Sequence, residues 1–263
     1  MILQPAPPLF YSPKKIISVV PSQTELLHYL GLQDETIGIT KFCIHPKEWY
    51  RSKTKVGGTK TLNINGIKKL QPDLIIANKE ENVKEQIEEL AKNFNVLVTD
   101  VNNLQDALQM IVQIGQATQK EKEALHLVEA IKNGFAKIKL PIQKINTAYL
   151  IWNKPCMTVG GGTFINDILS QCGLQNIFAD KERYPQITIA DLSIAHCKLI
   201  MLSTEPYPFK QKHIDELQPQ LPHAKIILVD GEMFSWYGSR MLLMPQYLQR
   251  LVDSVVVNGE GQL

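Results

Sequence analysis

Apolar residues recur along this chain in two rhythms. Unbroken aliphatic runs such as Ile16-Ile17-Ser18-Val19-Val20, Leu74-Ile75-Ile76-Ala77 and Leu199-Ile200-Met201-Leu202 alternate with stretches whose apolar residues fall three and four positions apart. The runs predict strands over 16–20, 36–40, 74–77, 96–99, 147–152, 199–202 and 226–229. The helical spacing predicts a helix from Ser22 to Gly31, others over 64–70, 83–93, 163–172, 190–195 and 210–217, and a final one over 239–256 that Pro245 is placed to kink. Ser22 and Glu25 stand at capping-box spacing at the first of these. Strands that read as continuous apolar runs are covered on both faces, so this alternation predicts an α/β chain with mainly parallel sheets.

The most regular stretch is 118–139. Thr118 and Glu121 have the spacing of a capping box, Ala124, Leu125, Val128, Ile131, Phe135 and Ile138 follow at helical intervals, and Pro141 stops the pattern. Such a helix would be a rod of roughly 30 Å. Asn103 is a cap candidate for a helix ahead of it that carries Leu104, Leu108, Ile111 and Ile114. The segment around Ile67-Lys68-Lys69-Leu70 and Asp73-Leu74-Ile75-Ile76-Ala77 is echoed by Ile189-Ala190-Asp191-Leu192 and Lys198-Leu199-Ile200-Met201-Leu202. The reading is two Rossmann-like lobes joined by a single long rigid helix: an N-terminal α/β lobe over 1–103, a helical connector over 104–144 with the backbone helix at about 119–139, and a C-terminal α/β lobe over 145–263.

Composition narrows the function. With 28 basic and 26 acidic residues, the net charge of +2 gives no electrostatic footprint for nucleic acid. No apolar run reaches the ~18 residues that span a bilayer, and Met1 is not followed by a charged segment and an apolar signal core, which predicts no visible export route. The Pro-rich stretch 1–13 reads as a loose arm. Cys43, Cys156, Cys172 and Cys197 lack C-x-x-C spacing and read as buried free thiols.

In open α/β sheets, ligands bind beyond the carboxyl ends of the strands, and two such lobes would form a cleft there. The loops that follow the strands carry Phe42, Trp152, Tyr207, Phe209, Phe234, Trp236 and Tyr237, flat rings suited to a large, partly apolar ligand. Lys41, Lys79 and Arg240 stand among the few cations in these loops. Cys43 and His45 could serve a metal or an enzyme site at the cleft of a cytosolic two-lobed metallochaperone, but two ligands one residue apart need a third from elsewhere. Alternatively, His45 touches the ligand or a metal that the ligand carries. Gly160-Gly161-Gly162 reads as a tight turn, with an anion-holding loop as the other reading. Glu80, Glu81 and Glu205 fall in matching loops, as solvated charges or as a two-point contact for a basic partner. Neither G-x-S-x-G nor H-E-x-x-H occurs, so no enzyme is expected.

Three motifs in order, Ile17-Ser18-Val19-Val20-Pro21-Ser22-Gln23-Thr24-Glu25, Val56-Gly57-Gly58-Thr59-Lys60 and Pro72-Asp73-Leu74-Ile75-Ile76-Ala77, give the chain a resemblance to the substrate-binding proteins of ABC importers for vitamin B12, ferric siderophores and haem. The resemblance implies a monomer that holds a metal-chelate ligand between two lobes, moves little on binding and has no intrinsic cofactor or protein-bound metal. It implies ligand contacts from Lys41, Phe42, His45, Trp152, Tyr207, Phe234, Trp236, Tyr237 and Arg240. Glu80 or Glu81 and Glu205 would dock onto arginines of a permease. The family is periplasmic or membrane-associated, whereas the sequence read from Met1 leaves a cytoplasmic place open. Aromatic walls and few cations favour a cobalamin-like or other tetrapyrrole ligand over a strongly anionic siderophore.

Overall fold

The computed structural model describes residues 2–3 and 12–256, which form two units. The first comprises Met1–Val101, Gln105–Lys132 and Trp236–Leu242; the second comprises Asn102–Leu104, Asn133–Ser235 and Leu243–Leu263.

In the first unit the chain runs β1 (Ile2–Leu3), β2 (Ile16–Ser18), α1 (Pro21–Tyr29), β3 (Thr36–Ile39), α2 (Lys47–Ser52), β4 (Thr54–Lys55), α3 (Ile64–Leu70), β5 (Leu74–Asn78), α4 (Lys84–Ala91), β6 (Asn95–Thr99), α5 (Leu104–Ala117) and α6 (Glu121–Phe135). Six parallel strands lie in the order β1-β6-β5-β2-β3-β4. The chain leaves β2 toward β3 and β4, then returns across β2 to β5 and β6. The order therefore reverses at β2, where α1 begins, and such reversals open the crevice in which α/β sheets hold ligands. Ile17, Ile75, Ala77 and Val96 from the strands and Val19 just after β2 pack with Ile67, Ile87 and Leu90 from α3 and α4. Helix α3 starts where the Asn63 side chain accepts the Gly66 N–H.

The second unit continues with β7 (Ile145–Trp152), β8 (Met157–Thr158), α7 (Phe164–Gln171), β9 (Leu174–Asn176), α8 (Ile189–Ile194), β10 (Leu199–Ser203), α9 (Gln211–Leu217), β11 (Lys225–Val229), α10 (Glu232–Ser235) and α11 (Met244–Val256). Its sheet runs β11-β10-β7-β8, with β9 also on β7, and every pairing is parallel except the antiparallel β7–β8. Ala148, Leu150, Ile200, Leu202 and Ile226 form its core with Leu192, Phe209 and Leu221. The α/β class with mainly parallel sheets is as the sequence predicts.

Several local expectations are corrected. The predicted 118–139 strut is shorter than expected: the helix expected ahead of it is α5, which ends at Ala117, and the strut itself is α6, which spans 15 residues, about 22 Å. The chain turns after Phe135, so Ile138 lies outside α6 although it continues the apolar spacing. Helix α6 still carries the chain from one unit to the other, between Lys132 and Asn133. The Thr118 hydroxyl donates back to the Ile114 carbonyl, 2.7 Å away, and so serves the end of α5 rather than the start of α6. Helix α1 starts at Pro21 with Val20 at its N-cap and has no side-chain cap, so Ser22 lies inside the helix rather than capping it, and Glu25 is engaged by Arg240 instead. The predicted final helix is a 3₁₀ turn over Ser239–Leu242 followed by α11, whose first turn contains Pro245, a position that proline tolerates without a kink. The expected loose arm 1–13 lies mostly outside the described residues, although Ile2–Leu3 within it pair with Val96 and Leu97. Among the described residues, no helix is long and apolar enough to cross a membrane.

Candidate functional site

At the carboxyl end of the first sheet the three sequence motifs are tied together by asparagines. Asn82, which is buried, donates through Nδ2 to the carbonyls of Val19 (3.2 Å) and Thr59 (3.0 Å) and accepts the Asn78 N–H through Oδ1 at 2.8 Å. It thereby joins the loop after β2, the Gly-Gly-Thr turn and the end of β5. Asn78 in turn accepts the N–H groups of Glu80 (2.9 Å) and Glu81 (3.1 Å), and Lys60 donates to the Glu80 carbonyl. The backbones of both candidate docking glutamates are thus held, and both residues are half-buried. Lys79 pairs with Asp100 at 2.7 Å.

The loop after β3 carries four of the expected residues. Phe42 is 51% exposed, and the Lys41 ammonium lies 5.2 Å from its ring centroid. Cys43 points into the interior between Thr24 and Thr40, each 3.1 Å from its sulfur, and burial pushes its thiol up. It therefore cannot share a surface metal with His45, and among the described residues no group of three His, Cys, Asp or Glu side chains could hold a metal. This corrects the Cys43/His45 metallochaperone or enzyme reading.

His45 meets Trp236 edge-on with centroids 5.3 Å apart, and the Arg240 guanidinium sits 4.9 Å from the Trp236 centroid. Arg240 grips Glu25 through two bonds, Nε to Oε2 at 2.9 Å and Nη2 to Oε1 at 2.8 Å. The side chains of Arg240 and Glu25 are only 11% and 22% exposed. Residues separated by about two hundred positions thus meet in the first unit, although Trp236, Tyr237 and Arg240 were expected in a C-terminal lobe. Trp236 and Tyr237 are themselves buried, so each offers at most a ring edge.

In the second unit, Trp152 ends β7 with 40% of its surface exposed. Its ring meets Tyr207 at 5.6 Å, and Tyr207 also packs on Phe209 at 4.8 Å and His213 at 5.5 Å. Phe234 is corrected: it is fully buried between Tyr149 (5.0 Å) and Tyr247 (6.1 Å) and serves the core rather than a ligand. Glu205 accepts the Ser235 hydroxyl at 2.7 Å. The glycine turn holds no anion through its first two N–H groups, because Gly160 and Gly161 donate to the carbonyls of Arg183 and Lys181, both at 2.7 Å. A Cβ at either residue would overlap the carbonyls of Lys181 and Ala179, which is why glycines stand there.

All four cysteines are free. Burial pushes Cys156 and Cys197 up to about 11 and Cys172 up to about 12, so none is a thiolate near neutral pH. Sequence reasoning missed Asn78, Asn82, His213 and Asn153. The only signal for the first two was their place beside a strand end.

Comparison with known proteins is consistent with this architecture. The vitamin B12-binding protein of Pectobacterium carotovorum is 25% identical over 244 residues, covering 90% of this chain and 87% of the relative. An uncharacterized ABC transporter substrate-binding lipoprotein of Bacillus subtilis, YvrC, is 31% identical over 188 residues, covering 67% of this chain and 59% of the relative. The structure of the periplasmic heme-binding protein RhuT from Roseiflexus superposes with a TM-score of 0.79 at 18% identity, covering 93% of this chain and 98% of that one, and shares its fold. Residues 16–218, most of the chain and all three of its motifs, match the family described as periplasmic binding protein, and to that family this chain belongs.

Proposed function

We propose that this chain is the substrate-binding component of an ABC-type importer, and that it carries a cobalamin-like corrinoid or another metal chelate without chemically altering it. The observation that carries this reading is the Trp152 ring: it stands exposed at the carboxyl end of β7 yet is held edge-on by Tyr207, a flat apolar surface fixed before any ligand arrives. Phe42 offers a second exposed ring in the loop after β3, the loop that also carries His45. Vitamin B12-binding relatives matching nine tenths of the chain support the same ligand class.

Charge favours a corrinoid over a strongly anionic ferric siderophore. Of the loop cations, Arg240 is taken by Glu25 and Lys79 by Asp100, which leaves Lys41 and Lys154 to meet an anion, too few to clamp a strongly anionic chelate. Glu80 or Glu81 in one unit and Glu205 in the other are the proposed contacts with a basic permease surface, each held by an identified hydrogen bond to its loop. In this reading the protein acts as a monomer and works outside the cytoplasmic membrane; a family described as periplasmic binding protein and a lipoprotein relative support the location.

The test is a tryptophan-fluorescence titration with cyanocobalamin, with haem and a ferric siderophore in parallel. Saturable quenching by cyanocobalamin that Trp152→Ala removes is the expected result. Failure of all three ligands to bind at high micromolar concentration would end the importer reading.

A further inference from the structure

Among the described residues, none accepts the hydroxyl proton of Tyr207. His213 is buried at the start of α9, and its Nδ1 accepts the Lys210 N–H at 2.8 Å, the role a carboxylate plays in a capping box. A ring nitrogen that accepts a hydrogen bond carries no proton, so the neutral imidazole must bear its proton on Nε2. That nitrogen lies 3.3 Å from the Tyr207 hydroxyl oxygen and can only donate to it. Asn153 Nδ2, 3.4 Å away, donates to the same oxygen. The phenol therefore receives two hydrogen bonds, and its O–H proton is directed elsewhere. Contacts with Trp152, Phe209 and His213 fix the ring that carries it.

From this geometry we infer that Tyr207 is a specificity-determining hydrogen-bond donor, set by His213 and Asn153 as positioning residues. It takes an acceptor oxygen, an amide carbonyl or a carboxylate, on the periphery of the ligand that stacks on Trp152. Flat ring and donor stand side by side at the carboxyl ends of adjacent strands β7 and β10, so one ligand edge meets both. A macrocycle with polar arms fits this pair; a bare aromatic ring does not use the donor. The inference rests on the proposed function for the ligand, whereas the state of His213 is a property of the protein alone.

Two measurements separate these parts. Nitrogen-15 NMR of the ligand-free protein is expected to show His213 protonated on Nε2 only; protonation on Nδ1 overturns the positioning argument whatever the ligand. In cyanocobalamin titrations, Tyr207→Phe keeps the ring stack and removes the donor, and is expected to weaken binding about tenfold. His213→Phe is expected to weaken it less and to add little in the Tyr207→Phe background. An unchanged cyanocobalamin affinity in Tyr207→Phe, with binding still lost in Trp152→Ala, overturns the donor role while leaving the importer reading intact. If the wild type binds neither cyanocobalamin nor haem, the ligand class and the donor role fall together, and only the NMR result bears on His213. Comparing haem with its dimethyl ester in wild type and Tyr207→Phe distinguishes a carboxylate from an amide as the acceptor: a Tyr207 effect on haem that the ester abolishes assigns the donor to a carboxylate.

Discussion

Replacing Arg240 by methionine removes the guanidinium from Glu25 while keeping an unbranched side chain of similar reach over Trp236. Two charge-assisted bonds at 2.8 and 2.9 Å are lost, and a carboxylate that is only 22% exposed is left without its cation. Fully exposed pairs contribute about 0–1 kcal/mol, whereas breaking a fully buried pair costs about 3–5 kcal/mol. With most of both side chains withdrawn from water, Arg240→Met is expected to destabilise the first unit by about 2–3 kcal/mol, to which loss of the cation above the Trp236 ring adds about 0.5–1 kcal/mol. Glu25→Gln keeps the shape and one acceptor and should cost about 1–2 kcal/mol, and the double variant should fall short of the sum by more than about 1 kcal/mol. Urea unfolding followed by tryptophan fluorescence in a Trp152→Phe background leaves only Trp49 and Trp236, both in the first unit, to report. An Arg240→Met loss under about 0.5 kcal/mol, or additive single changes, would refute the view that this pair clamps the segment.

Three further outcomes are expected. The four thiols, raised by burial, should react slowly with Ellman's reagent at pH 8 in the folded protein and completely once it is unfolded; rapid reaction of the native protein would contradict their placement. Hydrogen bonds from Lys68 and then Lys92 hold the Glu89 carboxyl down to about 2 from the usual 4.5. Its contribution to stability is therefore complete above about 4.5 and is lost as the pH falls through about 2, and an NMR titration should show the midpoint rising in Lys68→Met. Gly160→Ala, which places a methyl group against the Lys181 carbonyl, should cost roughly 1–3 kcal/mol in thermal or urea unfolding, whereas Gly162→Ala meets no such clash and is opposed only by the left-handed backbone there, φ +66°.

Much of the fold was legible because its signals are local. Leu74 to Ala77 reads as a strand because both faces of β5 are covered and every position is buried. Helix α3 was placed at its observed bounds, where apolar spacing agrees with the Asn63 cap and with Pro72 beyond its end. Elements of two or three residues, such as β1, β4, β8 and β9, lacked enough residues to show a period and are specified by their neighbours. The strut was overextended because Ile138 keeps the spacing after the backbone has turned. The site was legible as loops and aromatic rings, but not as partners. Nothing near Trp236 or Arg240 announces Glu25, 215 positions earlier, and nothing in the rhythm separates buried Phe234 from exposed Trp152. Such distinctions arise from long-range packing, which periodicity does not record.

The return of Trp236–Leu242 to the first unit bears on the order in which this protein can be made. A chain emerging from the ribosome presents β1 through α6 early, yet the segment that supplies the counter-ion for Glu25 and the ring against His45 emerges only after β11. Until then the amino-terminal half is unfinished, with Glu25 lacking its cation and the α1 surface lacking the 3₁₀ turn that covers it. A break in the chain ahead of Trp236 would accordingly be felt first in the half of the molecule synthesised earliest, and nascent chains stalled in the second half would be the ones most in need of a chaperone.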